Sequence, residues 1–443
     1  MRKREMHPLF SMIAQRQTAA IADKQEVPLD IKQRLSRCML WHLQREYFDR
    51  QGIAAWQAGA VPHHITSSPF IADAYSRIIA AFLRDSRAAF AGANVGSNSS
   101  IDPSHPVYIV ELGSGPGRFA YLFLKKLRAR RANSSLSDLS IKYVMTDFTE
   151  RTLDYWRAHP WFQPFIEEDV LDFARFDVEH DQKLRLVHSG EILSAKTVRN
   201  PLVVISNYLF DSIPQDAFFV SGGELHETLV TLTTPKNGFK RDDLEILSRV
   251  EMSCEHNQIN GNYYHDAKWN GILLDYKKRL TETAFLFPVS ALKCIRNLNR
   301  LSRGRMLLLS GDCGYSNDEA LLEGKGAPTM TVHGSISMMV DYQIIGEYSR
   351  RLGGQALHPG RRADSINVSA FMFGELPGGF VETRQAYAQA IESFGPDDFF
   401  TLKEGIAEVY PALSVDQIIA FIRLSCWDYK RFRECMPALK KHL

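Results

Sequence analysis

The sequence has no apolar run long enough to span a bilayer. Its apolar runs, such as Leu202–Ile205 and Met306–Leu309, are strand-sized, whereas a spanning helix needs about 20 apolar residues. It also lacks a dominant charge, with 53 basic against 51 acidic residues and a net charge of +2. That balance gives no chain-wide attraction to nucleic acid or to an anionic membrane. Cysteine is sparse: Cys38, Cys254, Cys294, Cys313, Cys426 and Cys435 are scattered and form no CxxC pair. A disulfide scaffold and a cysteine metal site are both excluded by that spacing, and the expectation is no metal, with reduced thiols in a cytoplasmic setting. The basic Met1–Gln17 leader is followed by no apolar stretch of signal-peptide type.

What is present is an ordinary globular composition, 45% apolar and 23% charged, with a change of texture along the chain. Residues 30–92 read as helical: Leu35, Met39, Leu40, Leu43 and Tyr47 recur at helical spacing, and Ile71–Leu83 repeats the pattern after Thr66–Pro69. Gln57–Ile65 is a loop, and Ala91–Pro106 reads as a linker. From Val107, strands at Val107–Glu111, Ile141–Met145, Leu202–Ser206 and Arg305–Ser310 alternate with helices at Arg118–Arg130, Thr149–His159 and Leu286–Leu301. Such alternation predicts an α/β, Rossmann-like parallel sheet covered on both faces. Residues 221–284 read as an insertion, and Gly395–Leu443 as a helical hairpin. The expected division is therefore an N-terminal helical cap (1–100), a core (101–375) and a C-terminal helical addition (376–443).

Val107–Phe119 carries the strongest chemical signal: a buried strand, then Gly113, Gly115 and Gly117, then a helix start. Glycines there let the backbone turn tightly and approach a ligand, in the crevice beyond the carboxyl ends of the strands. A dinucleotide fingerprint wants G-x-G-x-x-G, and its third glycine position is Arg118 here. That argues against a nicotinamide oxidoreductase. The G-x-G-x-G spacing after Glu111 instead resembles motif I of class I methyltransferases. The resemblance implies S-adenosylmethionine as cofactor, with Glu111 facing its cationic end. Asp147 ends the second strand, where an acid accepts ribose hydroxyls in related folds; a helix cap is the other reading. Asp169 and Val170 resemble the family's third strand end, which meets the adenine, although four acids between Glu167 and Asp172 equally suit a solvated loop.

The fourth strand opens onto Asn207, Tyr208, Phe210 and Asp211. Turn or cap formation suits Asn207 and Asp211, yet the density of polar and aromatic groups is unusual. Asn207–Phe218 resembles the N-E-F-F-D-A-L-P-x-x-x-F signature of the MidA-type methyltransferases, whose mitochondrial members assist respiratory complex I assembly and methylate a protein arginine. Ile65–Ala72, Gly304–Tyr315, His333 and Val340–Tyr342 resemble further family segments, so that the likeness spans about residues 45–375. The family's glutamate after the asparagine is Tyr208 here, and its Asp-Tyr-Gly is Asp312-Cys313-Gly314. Losing a carboxylate that would orient a guanidinium weakens an arginine acceptor and leaves the cofactor reading intact.

The resemblance implies a methyltransferase with Asp211 orienting or deprotonating the acceptor, and with Asn207 and Tyr208 lining its pocket. His333 is a further base, while His63, His64, Thr66 and Ser67 are loop residues within reach of the acceptor. A protein side chain is the first acceptor class and a small molecule the second. A non-catalytic assembly protein that keeps the fold is the rival from another class.

Overall fold

In the computed structural model of the chain, residues 26–57, 61, 65–91, 101–132, 134–235, 245–361 and 365–441 are described. The Met1–Gln17 leader, His63, His64 and residues 92–100 of the linker lie outside them.

The core is a nine-stranded sheet. Its order is Gln355–Leu357, Asn367–Phe373, Met306–Asp312, Leu202–Asn207, Val107–Leu112, Ile141–Asp147, Leu171–Arg175, Leu184–Leu186, Ile192–Leu193. The five central strands are mutually parallel, with Ile109 opposite Val203 and Val107 opposite Ile141. They read as near-continuous apolar runs because both faces are covered. Alternate residues fill two separate cores: Val110, Val144, Val204 and Leu308 on one face, Ile109, Tyr143, Val203 and Leu309 on the other. Beyond Met306–Asp312 the neighbour Asn367–Phe373 is antiparallel, unlike the sixth parallel strand of a dinucleotide fold. The α/β expectation holds. Four of the five central strands fall where the sequence placed them, one or two residues longer at the carboxyl end; the fifth, Leu171–Arg175, does not end at Asp169–Val170 as expected.

Three expectations change. Residues 30–92 are not helical throughout: Glu26–Arg34 is a strand, and helices follow at Met39–Gln51, Ala54–Gln57 and Pro69–Ala91. The strand buries few side chains, so its apolar pattern is faint, and Pro28 is acceptable at a sheet edge. It pairs with Glu224–Pro235 inside the 221–284 region, which is itself a second sheet with Asp216–Ser221, Glu251–Gln258 and Thr283–Phe287. The N-terminal region and the insertion thus share one sheet, and are not a helical cap and a separate insertion. The C-terminal region is three helices, Pro396–Val409, Val415–Leu424 and Tyr429–Leu439, around Phe399, Phe421 and Cys435. Trp427 lies in a turn there, 66% exposed. No helix among the described residues is long and apolar enough to cross a membrane.

Candidate active site

The chain leaves Val107–Leu112 toward Ile141–Asp147 on one side, while Leu202–Asn207 pairs on the other. The crevice between their carboxyl ends is the switch point of the sheet, where ligands bind in open α/β folds.

Gly113, Gly115 and Gly117 all have left-handed backbone, with φ of +60°, +51° and +74°, a conformation costing a side-chain-bearing residue about 1–2 kcal/mol. They differ in what faces them. A Cβ on Gly117 would come within 2.7 Å of Phe162 and 2.8 Å of Met145, so this glycine packs the helix onto the sheet. A Cβ on Gly113 would meet Leu209 at 3.2 Å, and one on Gly115 would meet Trp56 at 3.1 Å. Trp156 fixes the loop by donating its indole N–H to the Gly115 carbonyl at 2.9 Å.

Glu111 is 4% exposed and accepts from the Tyr143 hydroxyl at 2.9 Å. Burial pushes its carboxyl up from 4.5 to about 8, against the pull of hydrogen bonds from Ser114 and Tyr143. No cation among the described residues pairs with it, so burial favours its neutral form. Asp147 is likewise buried and pushed up to about 6. Its Oδ1 accepts the amide of Thr149 at 3.0 Å and the hydroxyl at 3.1 Å. The helix-cap reading of Asp147 fails, since Thr149 is the N-cap of the Glu150–Ala158 helix, and Asp147 instead holds the turn before it.

Asn207 and Tyr208 stand beside the glycine loop. Asn207 Oδ1 accepts the Tyr75 hydroxyl at 2.8 Å, whereas its Nδ2 is buried with no hydrogen-bond partner. Tyr208 has φ +49°, strained for a bulky residue and of the kind that collects at functional sites. Asp211 is 4% exposed, accepts from the Ser212 hydroxyl at 2.7 Å, and is pushed up to about 6 by burial.

Asp169 and Val170 are misplaced by the sequence reading. They precede Leu171–Arg175 and so lie at the amino end of that strand, away from the crevice. Asp169 is 68% exposed and pairs with Lys142 at 2.8 Å. Glu167, Glu168 and Asp169 precede the strand and Asp172 lies within it, so the acids alone do not mark its end. Its carboxyl end is Arg175, and the acid there is Asp177. Burial acts upward on Asp177, but hydrogen bonds from Arg45 and the Glu179 amide hold it below the ordinary range. Arg45 reaches it at 2.6 Å and lies 4.8 Å from the centre of the Phe148 ring. Thr66 and Ser67 are buried, and the Ser67 carbonyl accepts from Arg118 at 2.9 Å. His333 is held below its usual range by burial and contacts Ser337 at 3.3 Å. Its hairpin adjoins the site through Met338, whose amide donates to the Asp211 carbonyl at 2.9 Å.

The sequence reading missed Asp312 as a site residue, although it ends its strand just as Asp147 does. It is fully buried; Oδ2 accepts the Phe210 amide at 3.1 Å, and burial first and the neighbouring Asp211 charge second push its carboxyl well above the ordinary range.

No family model and no curated protein matches the chain. Among solved structures it is similar to two members of one superfamily from Burkholderia thailandensis. One is uncharacterized, at 13% identity over 76% of this chain and 88% of that one, TM-score 0.45. The other is bound to S-adenosyl-homocysteine, at 14% identity over 72% and 79%, TM-score 0.43. An O-methyltransferase family protein from the same organism follows at 9% identity over 61% and 52%, TM-score 0.29.

Proposed function

We propose that the protein is an S-adenosylmethionine-dependent methyltransferase whose acceptor is a protein side chain. One observation carries the reading: Glu111, a buried carboxyl with no partner cation among the described residues, stands at the mouth of a left-handed glycine loop. An ammonium group brought there would favour its ionised form and pair with it. Asp147, at the end of the adjacent strand, suits the ribose. Arg118 in the third glycine position and the antiparallel Asn367–Phe373 strand both oppose a nicotinamide cofactor.

The residues therefore fit the cofactor, which supplies a methyl group already activated by sulfonium. Glu111 and Asp147 hold it. Trp56 and Leu209 cover Gly115 and Gly113 and swing aside to admit it. Asn207 offers its unpartnered Nδ2, and Tyr208 its ring, to the acceptor. Asp211 orients the acceptor and receives its proton, a general-base role that its raised pKa suits. Burial of Glu111, Asp147 and Asp211 excludes water around them and helps to align the nucleophile. The resemblance to MidA-type methyltransferases supports a protein acceptor, and Tyr208 in place of the family's glutamate turns the choice away from arginine.

Formation of S-adenosylhomocysteine from the methyl donor in the presence of fractionated cell protein tests the reading. Wild type should form it and Asp211→Asn should not, with cofactor affinity kept within a few-fold. The crowding of Gly113 and Gly115 by Leu209 and Trp56 favours one rival, a non-catalytic assembly protein. No product from folded wild type with any fraction would establish that rival.

A further inference from the structure

The Val415–Leu424 helix is capped at Ser425 and leaves through a left-handed turn. The Cys426 amide donates to the Arg423 carbonyl at 3.0 Å, and the Trp427 amide to the Ile422 carbonyl at 2.9 Å. Glycine usually makes such a turn. Here Cys426 and Trp427 take φ of +58° and +64°, a costly conformation for side-chain-bearing residues. Packing does little to offset it at Trp427, whose side chain is 66% exposed. Tyr429 follows at 69% exposed, and Phe432 is exposed one helical turn later.

The surroundings of these aromatics are basic. The Arg118–Ala132 helix carries six cations and no acid. Arg118, Lys126 and Arg130 recur at multiples of four and share one face. Arg118 opens that row directly after the glycine loop and reaches Asp428, the neighbour of Trp427, at 3.5 Å. Lys126, Arg130 and Arg77 all share Asp73, at 4.0, 3.0 and 2.8 Å. Asp428 and Glu434 are the only acids of residues 427–441, and both pair with the buried Arg431, at 3.8 and 2.6 Å. Lys430 and Arg433 are in no ion pair among the described residues. Arg433 is exposed and, four residues on, shares the helix face of Tyr429. Seven cations along this row and turn thus share three carboxylates, which leaves the surface positive.

We propose that the Trp427–Arg433 surface docks an acidic segment of the acceptor protein beside the crevice. This deepens the methyltransferase reading and rests on it for the identity of the partner. Tryptophan, tyrosine and arginine are the side chains that carry most binding energy at protein interfaces. Guanidinium groups pair with carboxylates through two parallel hydrogen bonds. Arg118 joins this surface to the end of the glycine loop, so a segment held here lies at the mouth of the crevice. A second copy of the chain is disfavoured, because a self-complementary contact sets the positive surface against itself.

Fluorescence anisotropy of a labelled random copolymer of glutamate and tyrosine, titrated with the full chain, tests this. The copolymer should bind, and more weakly as salt is raised. Trp427→Ala and Arg433→Glu, both at exposed positions, should each weaken it by about tenfold or more. No binding overturns the proposal, as does binding that either variant leaves unchanged or that a copolymer of lysine and tyrosine matches. Tighter binding of polyuridylate, or of phosphatidylglycerol vesicles, also overturns it and assigns the surface to nucleic acid or to a membrane. Titration of the same protein with S-adenosylhomocysteine separates the two readings. Copolymer binding without cofactor binding leaves the surface standing and removes the methyltransferase reading; cofactor binding without copolymer binding does the reverse.

Discussion

At the scale of single residues, function and stability pull against each other at Glu111. The folded state holds its proton up to about pH 8, while the unfolded chain releases it near 4.5. The unfolded state therefore binds fewer protons between those values, and stability falls as pH rises through that window. Glu111→Gln should remove this slope, so that its Tm exceeds wild type at about pH 8 and converges with it near the ordinary carboxylate range. The same variant should weaken S-adenosylmethionine binding by on the order of tenfold or more, the worth of a charge-assisted hydrogen bond. Equal Tm gaps at both pH values would contradict the assignment of the shift to Glu111. Gly117→Ala makes a separate prediction: left-handed backbone and two contacts under 3 Å should cost about 2–4 kcal/mol in urea unfolding, combining strain and overpacking. At this scale the sequence was legible where residue type and position coincide. Glycines after a buried strand, and Asp147 and Asp211 at strand ends, fall at the crevice. Asp169 does not, because one of four clustered acids gives no boundary, and pairing with Ile141–Asp147 fixes where the strand begins.

At the scale of elements, the joints between regions are made by a few polar side chains. Gln44 is 2% exposed and bridges both backbone groups of Ile336, donating to its carbonyl and accepting from its amide at 2.8 Å each. It ties the Met39–Gln51 helix to the hairpin that borders Asp211. Gln44→Ala leaves two buried backbone groups unpaired, at a cost of about 1–3 kcal/mol each. Amide hydrogen exchange at Ile336 and Met338 should quicken in that variant more than exchange in the central strands; unchanged rates would show that another contact holds the hairpin. Arg118, the residue that replaces a third glycine, joins Ser67 at 2.9 Å to Asp428 at 3.5 Å. The sequence marked that position only as a broken fingerprint. Its role as a link between the Pro69–Ala91 helix and the C-terminal helices depends on segments hundreds of residues apart. The Glu26–Arg34 strand was hidden for a related reason: its order comes from pairing with Glu224–Pro235, not from its own weak pattern.

At the scale of the whole molecule, period-two alternation along five parallel strands divides the interior into two cores, and the carboxyl edge between them gathers the polar groups. Glu111, Asp147, Asn207, Asp211 and Asp312 all end or follow adjacent strands of one sheet, so one crevice serves them all. Transfer that depends on Asp211 as a base should fall as pH drops through about 6, where its carboxylate takes a proton, and the acid limb should vanish with activity in Asp211→Asn. The central claim, that this crevice holds S-adenosylmethionine, is met most directly by calorimetric titration with that compound, S-adenosylhomocysteine and NADH in parallel. The account predicts binding of the first two, loss of it in Gly115→Val, where φ +51° and Trp56 leave no room, and none of the third. Folded protein that binds neither sulfur compound, or that prefers NADH, would contradict it.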